Sequence, residues 1–224
     1  MNATAATISL TCPLCQTRFE SAAPGDWSIG EKDTDFCPRY IGSNPLPLLA
    51  HCCPTCGFAG HEADFAPFDN ERHADKVKRM LTSIEADDAS GAGSGSDGVG
   101  AVERYRRMAL IAIYRNRPSL EVADIYLKAV WCARTAGLPG EDHCRQKAIR
   151  YFEMSVAAGD VPAGRRAMVQ YLIGELHRRA GNTAKAREWF AKIDATALPA
   201  ADLWIVVWRD RQLAKMIADD ATAG

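Results

Sequence analysis

CPTCG, residues 53–57, decides how the chain folds, because a matching pair of thiols already stands upstream as CPLC, residues 12–15, with 37 residues between the two. A two-residue spacer turns both sulfurs of a tight loop toward one ion, the proline stiffens that loop, and Gly57 supplies a position open to positive φ. Two such knuckles close a tetrahedron of thiolates. Cys12, Cys15, Cys53 and Cys56 are the expected ligands of one metal in a structural four-cysteine site with no open position. Residues 1–68, rich in Cys and Pro, bury too little apolar surface to fold alone, whereas a structural zinc site contributes on the order of 10 kcal/mol to folding.

The expected cofactor is Zn2+, and iron of the rubredoxin kind uses similar knuckles. A thioredoxin-type redox pair needs one C-x-x-C on a βαβ scaffold, which two matched pairs in Pro-rich sequence do not fit. Charge argues against a nucleic-acid-reading ribbon. Residues 1–80 carry 7 basic and 10 acidic side chains, residues 81–100 carry 4 acids and no base, and residues 101–224 carry 20 bases and 14 acids. The net charges are −3, −4 and +6. An anionic partner would therefore prefer the C-terminal half, yet its charge is modest and interleaved, so nucleic acid is not the expected partner.

MNATAATISLTCPLC has no basic region followed by an apolar one, and no apolar run approaches the roughly 18 residues of a spanning helix, so the chain reads as cytoplasmic with no membrane partner. In a reducing compartment the eight cysteines are not a disulfide framework, and six of them lie in the first 60 residues. Cys52 precedes a ligand and points to the opposite face, as a small buried thiol. His51, His61 and His73 read as solvated or capping residues, and Cys132 and Cys144 as core.

The fold class expected is mainly α: a small zinc-ribbon-like β and loop domain over 1–68, then a helical array. A connecting helix over 69–85 has Asn70 as its cap, and ADDASGAGSGSDGVGA marks a flexible linker over 86–101. Residues 102–222 divide at turn signals into helices near 102–116, 120–136, 141–158, 164–180 and 183–194, with a last one after Pro199. YLIGELHRRAGNTAKAREWF follows the logic of a tetratricopeptide (TPR) unit, with Gly174 at the crossing, Gly181-Asn182 at the turn, then Ala186 and Phe190. Ala148 and Phe152 make a looser copy upstream, so the array is TPR-like.

Between the knuckles stands DTDFCPRYIGSNP, residues 33–45. With CPLCQTRF, CCPTCGFAG, YLIGELHRRAGN and AREWF it resembles a family of uncharacterised bacterial proteins, domain of unknown function 2225, over almost the whole chain. The resemblance implies a soluble bacterial protein with a metal-binding front end and a TPR-like back end, and no known reaction. This chain differs in its Gly/Ser linker, in Leu48 where an aromatic is expected, and in Cys52. Two readings of the stretch remain. In one, Asp33 and Asp35 accept backbone N–H bonds, Asn44-Pro45 turns the chain, and Phe36 and Tyr40 pack over the knuckles. In the other, Asp33, Asp35, Cys37, Arg39, Tyr40 and Asn44 line a polar pocket beside the metal, where a cation depresses the Cys37 thiol.

The favoured function is a non-enzymatic zinc-binding interaction or scaffold protein with a protein or peptide partner on a basic concave surface supplied by Arg104, Arg106, Arg107, Arg165, Arg166, Arg178 and Arg179. The alternatives are a thiol redox sensor or enzyme using Cys37, and nucleic-acid association through the helical half. No metalloprotease, phosphate-loop, dinucleotide or Ser-His-Asp signature is present, so no catalytic residue is assigned. WIVVW, residues 204–208, spreads apolar side chains around the last helix. That surface calls for cover by the N-terminal module, by a partner, or by a second copy in a homo-oligomer.

Overall fold

The computed structural model describes residues 6–68, 70–90 and 99–223. Alternating apolar positions in ATISLT and RFESAA produce the first hairpin. β1 (Ala6–Thr11) pairs antiparallel with β2 (Arg18–Ala23), in register from Ala6 opposite Ala23 to Thr11 opposite Arg18. β3 (Trp27–Lys32) pairs with β4 (Pro38–Gly42) in a second hairpin, with a register irregularity between Ile29 and Lys32. One helical turn, α1 (Leu46–Leu49), follows Pro45, and then β5 (His51–Cys52) pairs with β6 (Ala59–Gly60). The tips of the first and third hairpins carry the two cysteine knuckles.

The rest is helical. α2 (Glu71–Ser90) begins where Asn70 Oδ1 accepts the Arg72 backbone N–H at 2.9 Å, the cap the sequence predicts. It extends five residues beyond the end expected at 85, and residues 91–98 of the expected linker lie outside the described residues. α3 (Ala101–Tyr114), α4 (Ser119–Ala136), α5 (Glu141–Ala158), α6 (Arg166–Arg179), α7 (Thr183–Ala191) and α8 (Trp204–Ala223) follow the turn signals within a few residues. Each packs on the next from α3 to α7, and α8 closes on α6 and α7. The fold is therefore a small strand and cysteine region followed by a helical array, as expected. Its main apolar core is continuous across the boundary expected near residue 69: Leu10, Leu46, Phe58 and Phe65 join Val77, Tyr105, Val130 and Phe152 in one cluster.

A second cluster binds the end of the array, where Tyr171, Ala186, Phe190, Ile193, Ile205 and Met216 are buried together. It depends on a missing side chain. A Cβ at Gly174 would stand 2.6 Å from Cδ1 and Cε1 of the fully buried Phe190. Gly174→Ala is expected to push α6 and α7 apart at a cost of about 1–3 kcal/mol. The check is a lowered Tm with unchanged metal content.

Candidate metal centre and the docked 33–37 loop

The two knuckles are built alike. In the first, the Cys12 N–H donates to Thr17 O at 2.9 Å and the Gln16 N–H to Cys12 O at 3.0 Å. In the second, the Cys53 N–H donates to Phe58 O at 2.8 Å and the Gly57 N–H to Cys53 O at 3.0 Å. Gln16 and Gly57 close these turns with φ of 59° and 69°, so the positive φ expected at Gly57 is present. Gln16 adopts it with a side chain.

The four sulfurs of Cys12, Cys15, Cys53 and Cys56 all lie within 4.8 Å of one another, with Cys12–Cys56 and Cys15–Cys53 at 3.5 Å. A tetrahedron of thiolates at about 2.3 Å from an ion places its sulfurs about 3.8 Å apart, so the donor set fits one metal ion. Taken as thiols the cluster is uneven. The hydrogen bond from Cys56 pulls the Cys12 thiol down to about 5 against its burial, while the same bond and burial push Cys56 up. Four thiolates in this space need a cation among them. No disulfide consumes any of the eight cysteines.

The stretch between the knuckles forms the tip of the β3–β4 hairpin, residues 33–37, and it docks into the helical array. Within the loop, the Asp33 N–H donates to Cys37 O and the Phe36 N–H to Asp33 O, both at 2.8 Å. Phe36 takes φ of 65°, a left-handed conformation costly for a bulky residue, which turns its ring outward. It does not cover the knuckles. The ring stacks on Tyr171 at 5.3 Å and meets Trp204 and Trp208 at 5.5 and 5.6 Å. The N-terminal module thus covers one side of WIVVW, while Ile205 faces the core.

Around Phe36 lies a charge network with no solvent on its central acids. Asp35, fully buried, accepts from Trp131 Nε1 at 3.2 Å, from Arg134 Nη2 at 2.9 Å and from the Cys37 N–H at 3.3 Å. Glu175, also fully buried, accepts from Arg178 Nε at 2.7 Å, Arg179 Nε at 2.8 Å and Thr34 Oγ1 at 2.5 Å. Arg179 Nη2 reaches Asp33 at 2.9 Å. Three carboxylates thus face three guanidiniums, and the loop is latched to α4 and α6 by paired, hydrogen-bonded charges.

Of the residues predicted beside the metal, Asp33 and Asp35 enter this latch. Asn44 donates to Thr135 Oγ1 at 2.9 Å and accepts the Leu46 N–H at 3.1 Å, making the expected turn and a further tie to α4. Tyr40 packs edge-on against Trp27 at 5.5 Å, and Arg39 is exposed on the outer face with Glu31 at 4.0 Å. Cys37 is 3 % exposed, and burial pushes its thiol up against the pull of Arg134. His51 is not solvated: it is buried and its Nδ1 lies 2.8 Å from Ser21 Oγ. Trp131, Arg134 and Glu175 were missed by sequence reasoning. The one signal for them is Glu175 itself, an acid inside the apolar run YLIGEL.

The latch sets an acid limit. Burial raises Asp33 and Glu175, but hydrogen bonds from Thr34 and the arginines and their charges outweigh it, so both lie below their ordinary values of 3.8 and 4.5. A carboxylate depressed on folding stabilises fully above its unfolded value and loses that contribution as pH falls through the folded one. The latch's share of stability is expected to be complete above pH 4.5 and to be lost below it. Denaturant midpoints at stepped pH check this, and Glu175→Gln flattens the drop.

No curated protein and no solved structure matches the chain. The sequence model of a bacterial family described as uncharacterized and conserved in bacteria, DUF2225, matches residues 6–202, a span holding both knuckles, the docked loop and the α4 and α6 helices that latch it, and the chain belongs to that family.

Proposed function

We propose that this is a non-enzymatic, zinc-binding interaction protein: a zinc-ribbon-like module fixed on a TPR-like helical array that presents a surface to a protein or peptide. The observation that carries the reading is the closure of the sulfur cluster. Four donors mutually within 4.8 Å complete a tetrahedron and leave no position for substrate on the ion. Zinc is the ion of such closed structural sites, and its role here is to hold together the first and third hairpins, which flank the docked loop in sequence.

Two further observations favour interaction over chemistry. Cys37, the one thiol placed for reactivity by its sequence context, is buried, and that burial pushes its thiol up. On the outside of α8 and the turn before it, Leu203, Trp204, Val207 and Ile217 are 38–60 % exposed, apolar side chains suited to a partner. The arginines expected to form a basic groove are largely used internally. Arg104 donates to Pro47 O, Arg106 pairs with Glu103, Arg165 with Asp124, and Arg178 and Arg179 with Glu175. That counts against nucleic acid.

The test combines metal analysis with surface mutation. One zinc per chain is expected, and Val207→Asp is expected to leave Tm unchanged while abolishing partners that the wild type retains in quantitative capture. Protein purified without chelator and lacking zinc would contradict the reading, as would retention of every partner by the variant.

A further inference from the structure

A cleft of about 240 Å³ lies on the seam between the cysteine module and the helices, floored by Ala59, His61 and Asp64 and walled by α3 and α4. Its polar groups are arranged unequally. His61 Nδ1 lies 2.7 Å from the Leu49 carbonyl, which accepts only, so Nδ1 carries the proton and Nε2 is bare. Lys128 Nζ donates to that Nε2 at 3.2 Å. Its ammonium therefore leans on a neutral ring and keeps two donors for something else.

The acids of the cleft are already used. Asp64 accepts the His61 backbone N–H at 2.9 Å, Glu121 pairs with Arg117 at 2.7 Å, and Asp124 pairs with Arg165, which approaches from outside the cleft, at 3.4 Å. Among the described residues no carboxylate lies within ion-pair distance of Lys128 or Arg115: Asp124 acts on Lys128 only through space, and the Arg115 guanidinium rests on the Phe68 ring at 4.9 Å. Two cations thus face a small cleft whose other wall is Met108, Ile111 and Ile125. We propose that this cleft binds a small organic oxyanion, its carboxylate or phosphate held by Lys128 and Arg115 and its apolar part against Met108 and Ile111. The chemistry matches the lining: charge-assisted donors at one end, apolar side chains at the other, and a neutral histidine holding the lysine in place. Because the floor belongs to β6 and the turn after it, the ligand spans both parts of the fold.

Titration of the full chain with inorganic phosphate and with hexanoate, at ionic strength held constant with chloride, tests this. Calorimetry and the His61 ring proton signals report the binding. Saturable binding of at least one probe is expected, shifting the His61 signals, and tighter binding of hexanoate identifies the apolar wall as part of the site. Lys128→Gln and Arg115→Gln are each expected to weaken binding about tenfold. Arg115 rests on Phe68 at the edge of the core, and its variant leaves the His61–Lys128 contact in place, so it reads the site even if Lys128→Gln is unstable. Failure of both probes to saturate overturns the proposal, and so does equal binding by wild type and the Arg115 variant.

Discussion

Cys53→Ser is expected to release the metal and to destabilise the whole chain, helices included. A structural zinc site contributes on the order of 10 kcal/mol, comparable to the entire stability of an ordinary domain. That energy is transmitted because the module's apolar residues do not form a core of their own. Phe58 and Leu46 are buried in the same cluster as Tyr105 and Val130, Tyr105 Oη donates to Leu46 O at 2.8 Å, and Arg104 donates to Pro47 O at 3.0 Å. Once the knuckles open, α3 and α4 lose their cover. The expected readings are loss of bound metal and a fall in Tm of more than about 10 °C. Cys52→Ser is the control: its thiol is not in the sulfur cluster, and burial holds it up at about 11, so metal content is expected to be retained.

The second large effect is expected at Asp35. Asp35→Ala removes the acceptor of the Trp131 N–H and the short partner of Arg134, leaving that guanidinium only Asp33 at 3.8 Å and Glu141 at 3.9 Å, and breaking a buried pair from one side costs about 3–5 kcal/mol. The loss is larger than any single surface pair in the chain supplies. With the loop undocked, Phe36 leaves Trp204 and Trp208, so tryptophan emission is expected to shift to the red while the metal stays bound. The double variant with Arg134→Met is expected to recover most of the lost stability, since both charges are then gone.

What was legible in the sequence was local. The knuckles are read from two-residue spacers and a glycine, the helices from turn signals, and the helix crossing at Gly174 from the spacing of a tetratricopeptide unit, although its partner there, Phe190, is seen only in the fold. The 33–45 stretch was half legible. Its aspartates accept the backbone bonds of Thr34 and Cys37 as expected, because such loops are closed by their own neighbours. Their other partners stand far along the chain, Arg134 at 99 residues from Asp35 and Arg179 at 145 from Thr34, where no spacing rule reaches. For the same reason Phe36 was expected over the knuckles: its positive φ, which aims the ring at α6 and α8, has no signature in a residue that normally avoids that conformation. Arg178 and Arg179 were assigned to an open surface because a run of basic residues near a helix end reads as solvated. The buried Glu175 one turn earlier claims them instead.

The metal, acting through the apolar core that the knuckle hairpins share with α3 and α4, is thus expected to stabilise the helical array as well as its own module. Amide hydrogen exchange of the full chain, followed with and without a chelator and resolved over α4 and α6, separates the two contributions. Chelation is expected to strip protection from residues 126–136 and 169–179 together with the knuckles. Unchanged protection in those two helices while the knuckles exchange freely would show that the metal holds its own module alone.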